Sequence, residues 1–126
     1  KYDCANKGVD ELVKVSMETQ TLCAAADSLG LCVFGRSVTN INIPLIVEAI
    51  NAALGTELPN SFFDTLGRDT LRYEAQFNRD AGFTEHDDEL PDFFYEEALE
   101  PTRQVARFHA GEVNRAVERW WAAASA

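Results

Sequence analysis

The stretch AAADSLGLCVFG, residues 24–35, marks the end of a predicted helix and decides where the first helical segment stops. Gly30 is the residue type that often adopts a left-handed conformation directly after a helix. Asp27 and Cys32 flank this glycine, although a helix stop needs only the glycine. Along a continuous helix two residues five positions apart would point about 140° away from each other. Asp27 and Cys32 can therefore contact the same ligand only if the chain turns at Gly30.

Helical periodicity extends outward from this stretch in both directions. Apolar residues recur at helical spacing along most of the chain, and asparagine, proline and glycine stand where helices are expected to start and stop. Four helical segments are predicted, with these bounds: Val9 to Ser28, Asn42 to Gly55, Asn60 or Ser61 to Gly82, and Gly111 to Ala123. We expect the third segment to place one stripe in the core, formed by Phe62, Leu66, Thr70, Tyr73 and Phe77. Gly67 interrupts this segment at a cost of about 1 kcal/mol unless another element packs close to it.

The pattern as a whole predicts an all-α fold, a multihelical bundle of four to five helices within one domain of residues 1–126. Two stretches carry weak strand signals, GLCVFG (residues 30–35) and SVTNINI (residues 37–43), but both are short and contain turn residues. Because the sequence starts at Lys1 and not at methionine, we expect it to be a piece of a longer protein.

Charge excludes several classes of partner. The chain has 11 basic and 21 acidic residues, a formal net charge of -10, which disfavours nucleic acid and anionic membranes. Eight carboxylates and no lysine or arginine lie in EHDDELPDFFYEEALE, residues 85–100, which we call the acidic run. The pattern predicts a solvated loop with short helical turns. A metal site formed by carboxylates is the more specific alternative, and it would need several of these side chains to be held inward.

Cysteine usage indicates a reducing, cytoplasmic setting. Cys4, Cys23 and Cys32 make an odd number without CxxC spacing, whereas a secreted domain of this size usually has an even set. Cys23 lies in an apolar helical stretch and is expected to be a small buried residue. The same interpretation is open for Cys32, with Asp27 as an ordinary acid before a helix stop. Alternatively, the carboxylate accepts hydrogen bonds from a ligand and the thiolate ligates a soft metal or an iron–sulfur cluster.

Two motifs resemble those of one enzyme family. DSLGLCVF, residues 27–34, is similar to the DxxGLC motif of the aldehyde:ferredoxin oxidoreductases, which are tungsten–pterin enzymes. Residues 67–99, GRDTLRYEAQFNRDAGFTEHDDELPDFFYEEAL, resemble the family's C-terminal FN-x-x-x-G-F…DD-x-LP-x-x-F block in order and spacing. The resemblance covers most of residues 20–100.

The resemblance implies a role for three residues. It assigns Asp27 to hydrogen bonding with the pterin, Leu31 to the border of the pterin, and Cys32 to ligation of a 4Fe–4S cluster. It implies that the chain is the C-terminal domain of a parent enzyme that oxidises aldehydes to carboxylic acids and passes electrons to ferredoxin. The parent would carry a tungsten or molybdenum bis-pterin and the cluster. None of these cofactors is expected in the isolated fragment, because the other cluster ligands would lie in the rest of the parent chain.

Two other functions stay open at this point. One is the tungsten subunit of a benzoyl-coenzyme A reductase-like enzyme, which shares the family's architecture. The other is a stand-alone helical interaction domain without a cofactor. His86 and His109 are the only histidines, and we expect both to be solvated surface residues without a catalytic role.

Overall fold

A computed structural model of the chain describes residues 4–35 and 42–124, which form an all-α, multihelical fold. Five α-helices follow each other: α1 (Val9–Ser28), α2 (Ile43–Leu54), α3 (Phe62–Asp80), α4 (Phe93–Glu96) and α5 (Ala110–Ala124). Short 3-10 turns lie at Val33–Gly35 and Glu85–Asp88. The described residues contain no strand, only an isolated bridge between Leu99 and Gln104. None of the helices in this part of the chain is both long and apolar enough to span a membrane.

The helix bounds confirm the predicted segments closely. The bounds of α1 agree with the prediction, and α2 begins directly after Asn42 with Pro44 in its first turn. Asn42 does not cap α2 with its side chain; its backbone carbonyl accepts the first hydrogen bonds instead. The acidic run forms the predicted loop with short helical turns. Most of the weak strand signal SVTNINI falls on residues 36–41, which lie outside the described residues.

The described residues fall into two compact units, one made of residues 4–17 and 79–124 and the other of Glu18–Asn78. In the second unit the core consists of Ala25, Ala26, Ile46 and Phe63, with Phe63 only 1% exposed. Half-buried leucines and isoleucines of α1, α2 and the segment between them pack against this core.

One predicted stripe is wrong. Tyr73 and Phe77 of α3 are 77% and 72% exposed, and Phe63, not Phe62, is the buried aromatic residue at the start of the helix. The inward face of α3 runs through Phe63 and Gly67, both buried and four positions apart. Because a glycine contributes nothing to an apolar pattern, the periodicity selected the adjacent face, about 100° away around the helix.

Gly67 is buried because α3 crosses α1 at this position. A Cβ atom at Gly67 would lie 2.0 Å from the backbone carbonyl oxygen of Thr21. Thr21 is itself 3% exposed. The expectation that something packs close to Gly67 is therefore confirmed, and the helix crossing accounts for the glycine in an otherwise regular helix.

In the first unit, two arginines hold the segment that precedes and begins α1. The Arg107 guanidinium donates hydrogen bonds to the backbone carbonyls of Cys4, Ala5 and Lys7 at 2.8–3.1 Å. Arg119 of α5 donates two hydrogen bonds to one carboxylate oxygen of Asp10, at 2.6 and 2.8 Å. These contacts fix residues 4–10 in this unit.

A carboxylate in the acidic run organises the start of α5. One oxygen of Glu89 accepts a hydrogen bond from the backbone N–H of Ala110, the first residue of the helix, at 3.1 Å. The other oxygen accepts a hydrogen bond from the Tyr95 hydroxyl and lies 3.2 Å from Nδ1 of His109. The rings of Tyr95 and His109 stack with centroids 4.1 Å apart. We call Glu89, Tyr95 and His109 the Glu89 cluster.

Hydrogen bonding in the Glu89 cluster favours the ionised carboxylate. The Tyr95 hydroxyl contributes most, and the N–H of Ala110 and the His109 ring add to it, so that the pKa of Glu89 falls from 4.5 to about 2. The same hydrogen bond raises the pKa of Tyr95, since a phenolate would lose it and face the carboxylate. Because the pKa of Glu89 is lowered by folding, this contribution to stability is complete above about pH 4.5 and is lost as the pH falls towards 2.

Replacing Gly67 with alanine tests the helix crossing. Alanine gains about 1 kcal/mol in helix propensity, but overpacking costs about 1–3 kcal/mol or more, and here the clash is with backbone that cannot rotate away. We expect Gly67→Ala to lower the free energy of unfolding by about 2 kcal/mol in a urea titration. Gly8→Ala is the control, because nothing lies within 4 Å of the added Cβ atom. Equal stability of the two variants would contradict the close approach.

Replacing Tyr95 with phenylalanine tests the Glu89 cluster. The variant loses the hydrogen bond that contributes most to the low pKa of Glu89. We expect a lower thermal midpoint than wild type at neutral pH, and a difference that narrows as the pH falls from about 4.5 towards 2. Tyr73→Phe, at an exposed tyrosine of α3, should match wild type at every pH. A difference between Tyr95→Phe and wild type that stays constant with pH would disprove the linkage to Glu89.

Candidate functional site

The chain turns sharply between Asp27 and Cys32, as the sequence predicts. Gly30 has a φ angle of 67°, a left-handed conformation that is strained for residues with a Cβ atom. Its N–H donates to the carbonyl of Asp27 at 3.0 Å, and the N–H of Leu31 donates to the carbonyl of Ala26 at 2.9 Å. This pair of hydrogen bonds is a Schellman motif, which satisfies the last carbonyls of α1. Asp27 and Cys32 are therefore not held at the wide angle of a continuous helix.

The inner side of the turn is anchored to the core. Leu29 and Leu31 are half-buried and pack against the cluster that contains Ile46 and Phe63. The hydroxyl of Ser28 donates to the carbonyl of Ala24 at 2.7 Å and lies 3.2 Å from the hydroxyl of Thr70 on α3. The turn is thus fixed by apolar packing and by a polar contact to a neighbouring helix. Leu31, which the resemblance assigned to the pterin border, keeps part of its surface exposed.

The outer side of the turn carries the two polar residues. Asp27 is exposed, and its carboxylate has no hydrogen-bond or ion-pair partner among the described residues. Cys32 is an exposed free thiol, and its carbonyl accepts the N–H of Gly35 at 2.9 Å in the following 3-10 turn. Phe34, in that turn, is 94% exposed. A free carboxylate can accept hydrogen bonds from ring and amino N–H groups, and a free thiol can become an iron ligand.

The turn contains one cysteine, Cys32, which could supply one ligand of an iron–sulfur cluster but not all four. Cys4 and Cys23 form no disulfide within the described residues; Cys4 is exposed and Cys23 is half-buried on α1. The part of the chain that the structure describes contains no group of three His, Cys, Asp or Glu residues that could hold a metal ion. If Cys32 ligates a cluster, the other thiolates of a Cys₄ site would have to come from elsewhere.

Sequence reasoning missed the Glu89 cluster. His109 is exposed, as expected, but its ring is oriented by Glu89 and by stacking on Tyr95. A carboxylate that holds one imidazole nitrogen orients the ring for proton exchange through the other. Glu89 and His109 lie in loops and Tyr95 lies in the single turn of α4, so no helical spacing relates the three residues. No pattern in the sequence could have joined them before the loop was folded.

Comparison with known proteins agrees with the motifs at the turn and in the acidic run. A family model described as aldehyde ferredoxin oxidoreductase, domains 2 & 3, matches residues 4–124. Searches of curated proteins and of solved structures give no match. Enzymes of this family are oxidoreductases that generally bind a tungsten or molybdenum pterin and an iron–sulfur cluster. Because the family model spans nearly all of the sequence, this chain belongs to the aldehyde ferredoxin oxidoreductase family.

Proposed function

We propose that the chain is the C-terminal domain of a tungsten- or molybdenum-pterin enzyme that oxidises aldehydes to carboxylic acids and passes electrons to ferredoxin. The observation that carries the proposal is the turn after α1. Its two outward residues, Asp27 and Cys32, have the chemistry of a pterin acceptor and of an iron ligand, and both are exposed and available. The family match over residues 4–124 supports membership in this oxidoreductase family.

Asp27 is the residue we assign to the pterin. Its carboxylate would accept hydrogen bonds from amino and ring N–H groups, and hydrogen bonds to a charged acceptor are the stronger kind. Leu31 would border the same ligand with the part of its side chain that the core leaves exposed. Because Gly30 and the Schellman hydrogen bonds fix the backbone, little ordering would be needed on binding.

Cys32 is the residue we assign to the cluster. A thiolate is a soft ligand suited to iron, and the exposed position of Cys32 leaves the sulfur accessible. When bound, the metal–pterin would supply the oxidation and the cluster the electron transfer. The chain's own contribution is geometric, since residues five positions apart in one fixed turn would contact both groups and keep the electron path short.

The remaining ligands are assigned to the parent chain. One thiol is a quarter of a Cys₄ set, so we propose that the other three thiolates and the first pterin-binding segments lie in the rest of the parent. The 126 residues would then form one helical domain that binds neither metal firmly by itself. The odd number of cysteines, with no disulfide among the described residues, suits a reducing, cytoplasmic setting, which is part of the proposal. The family match favours this enzyme over a stand-alone interaction domain.

Exchange of Cys32 for serine in the full-length parent tests cluster ligation. A serine alcohol is a harder and poorer ligand for iron than a thiolate. We expect Cys32→Ser, purified anaerobically, to lose iron and the visible absorbance of the cluster before it loses tungsten or molybdenum. Cys4→Ser, at another exposed cysteine, should keep all its iron. Full iron and full aldehyde oxidation in Cys32→Ser would reject the assignment of this loop.

Exchange of Asp27 for alanine in the full-length parent should cause the metals to be lost in the opposite order. The variant removes hydrogen bonds that contribute about 1.5–3 kcal/mol each when the acceptor is charged, so the pterin should bind about ten- to a hundredfold more weakly. We expect tungsten or molybdenum to be lost first while iron is retained, as measured by metal analysis. Glu48→Ala, at an exposed carboxylate of α2, is the matched control and should keep both metals. Iron loss before pterin-metal loss in Asp27→Ala would refute the assignment.

A further inference from the structure

The single-turn helix α4 presents two adjacent aromatic rings to solvent. Phe93 and Phe94 are 51% and 38% exposed, and their ring centroids are 4.3 Å apart with the planes tilted by 30°. Aromatic residues are enriched at the centres of protein interfaces, because they bury a large area at a small cost in side-chain entropy. An exposed pair in mutual contact is therefore a good anchor for a partner.

The backbone behind this pair is held in place. Tyr95, the next residue, donates to Glu89 and stacks on His109, so the Glu89 cluster fixes one side of α4. The carbonyl of Phe94 accepts the N–H of Ala106 at 2.7 Å. The two phenylalanines are thus presented by a fixed backbone, which reduces the entropy that binding would cost.

Unpartnered negative charges flank the aromatic pair. Asp92, Glu96 and Glu97 are exposed, and no cation among residues 4–35 and 42–124 pairs with their carboxylates. Other carboxylates of the acidic run are already engaged within the chain: Asp87 with Thr84, Asp88 with Asn114, Glu89 with Tyr95, and Glu100 with Arg103. Four carboxylates of the acidic run have no such partner among the described residues; three of them lie next to the exposed rings, and the fourth is Glu85.

We propose that these five residues, Asp92, Phe93, Phe94, Glu96 and Glu97, form a docking surface for a protein partner whose facing surface carries Lys or Arg around an apolar anchor. We call them the α4 surface. Charge selects this occupant: a second copy would bring the same carboxylates together, and an acidic ferredoxin, a nucleic acid or an anionic membrane would be repelled. The rings supply the apolar contact and the carboxylates supply orientation and specificity. The proposal does not depend on the cofactor assignments.

A basic amphipathic peptide provides a defined probe of the α4 surface. We would label a helical peptide of arginine and leucine, with the leucines on one face, and measure its binding to the full-length protein by fluorescence anisotropy at low salt. Phe93→Ala combined with Phe94→Ala should weaken binding about tenfold or more. The triple variant Asp92→Asn, Glu96→Gln, Glu97→Gln keeps the rings and should weaken binding about tenfold, with a smaller salt dependence.

Matched controls separate this surface from general charge attraction. The triple variant Glu48→Gln, Glu57→Gln, Glu74→Gln changes the net charge equally at exposed carboxylates elsewhere, and Leu54→Ala removes an apolar side chain that is 72% exposed on α2. Both should bind the peptide like wild type, and a peptide with glutamate in place of arginine should not bind. Equal weakening by the control triple would overturn the proposal. Absence of binding to wild type would also overturn it, and is the result expected if the rest of the parent covers α4.

Discussion

The contact between α1 and α3 at Gly67 is the constraint on which the second unit depends. A helix backbone that lies against the carbonyl of Thr21 leaves no space for a side chain, so any residue larger than glycine would push the two helices apart. This contact selects the face of α3 that turns inward and thereby places Phe63 in the core with Ala25, Ala26 and Ile46. Leu29 and Leu31 pack against that same core, so the position of the turn after α1 follows from the crossing.

Under the proposed function, the turn after α1 is both the end of a helix and a binding site. The left-handed Gly30 ends α1, and the Schellman hydrogen bonds satisfy the carbonyls of Ala26 and Asp27 at the end of the helix. Leu29 and Leu31 pack against the core, whereas Asp27 and Cys32 are exposed and have no side-chain partner in the part of the chain that the structure describes. A functional pair placed on such a turn is held by the packing of its neighbours, and its own side chains stay available for a ligand.

In the other unit, ion pairs and hydrogen bonds accompany a small set of buried apolar residues, Val13, Met17, Ala110 and Ala116. Arg107 and Arg119 hold the segment before and within the start of α1, and the Glu89 carboxylate joins the acidic loop to the first residue of α5. A carboxylate that accepts a hydrogen bond from a helix N-terminus is also favoured by the helix dipole. Some carboxylates of the acidic run therefore hold the structure together, whereas those beside Phe93 and Phe94 pair with no cation among the described residues and form part of the proposed docking surface.

The sequence alone determined the helices, their ends, the turn at Gly30 and the family, because periodicity, capping residues and short motifs are local properties of the chain. It also identified Asp27, Leu31 and Cys32 as candidate site residues, although their cofactor roles rest on the family resemblance. Tertiary structure alone decided which face of α3 is buried, because Gly67 lies on the inward face and a glycine does not contribute to a pattern of apolar residues. It alone brought Glu89, Tyr95 and His109 together, because their contact depends on how a loop without periodicity folds against α5. Contacts between residues far apart in the chain are set by packing, and no local spacing encodes them.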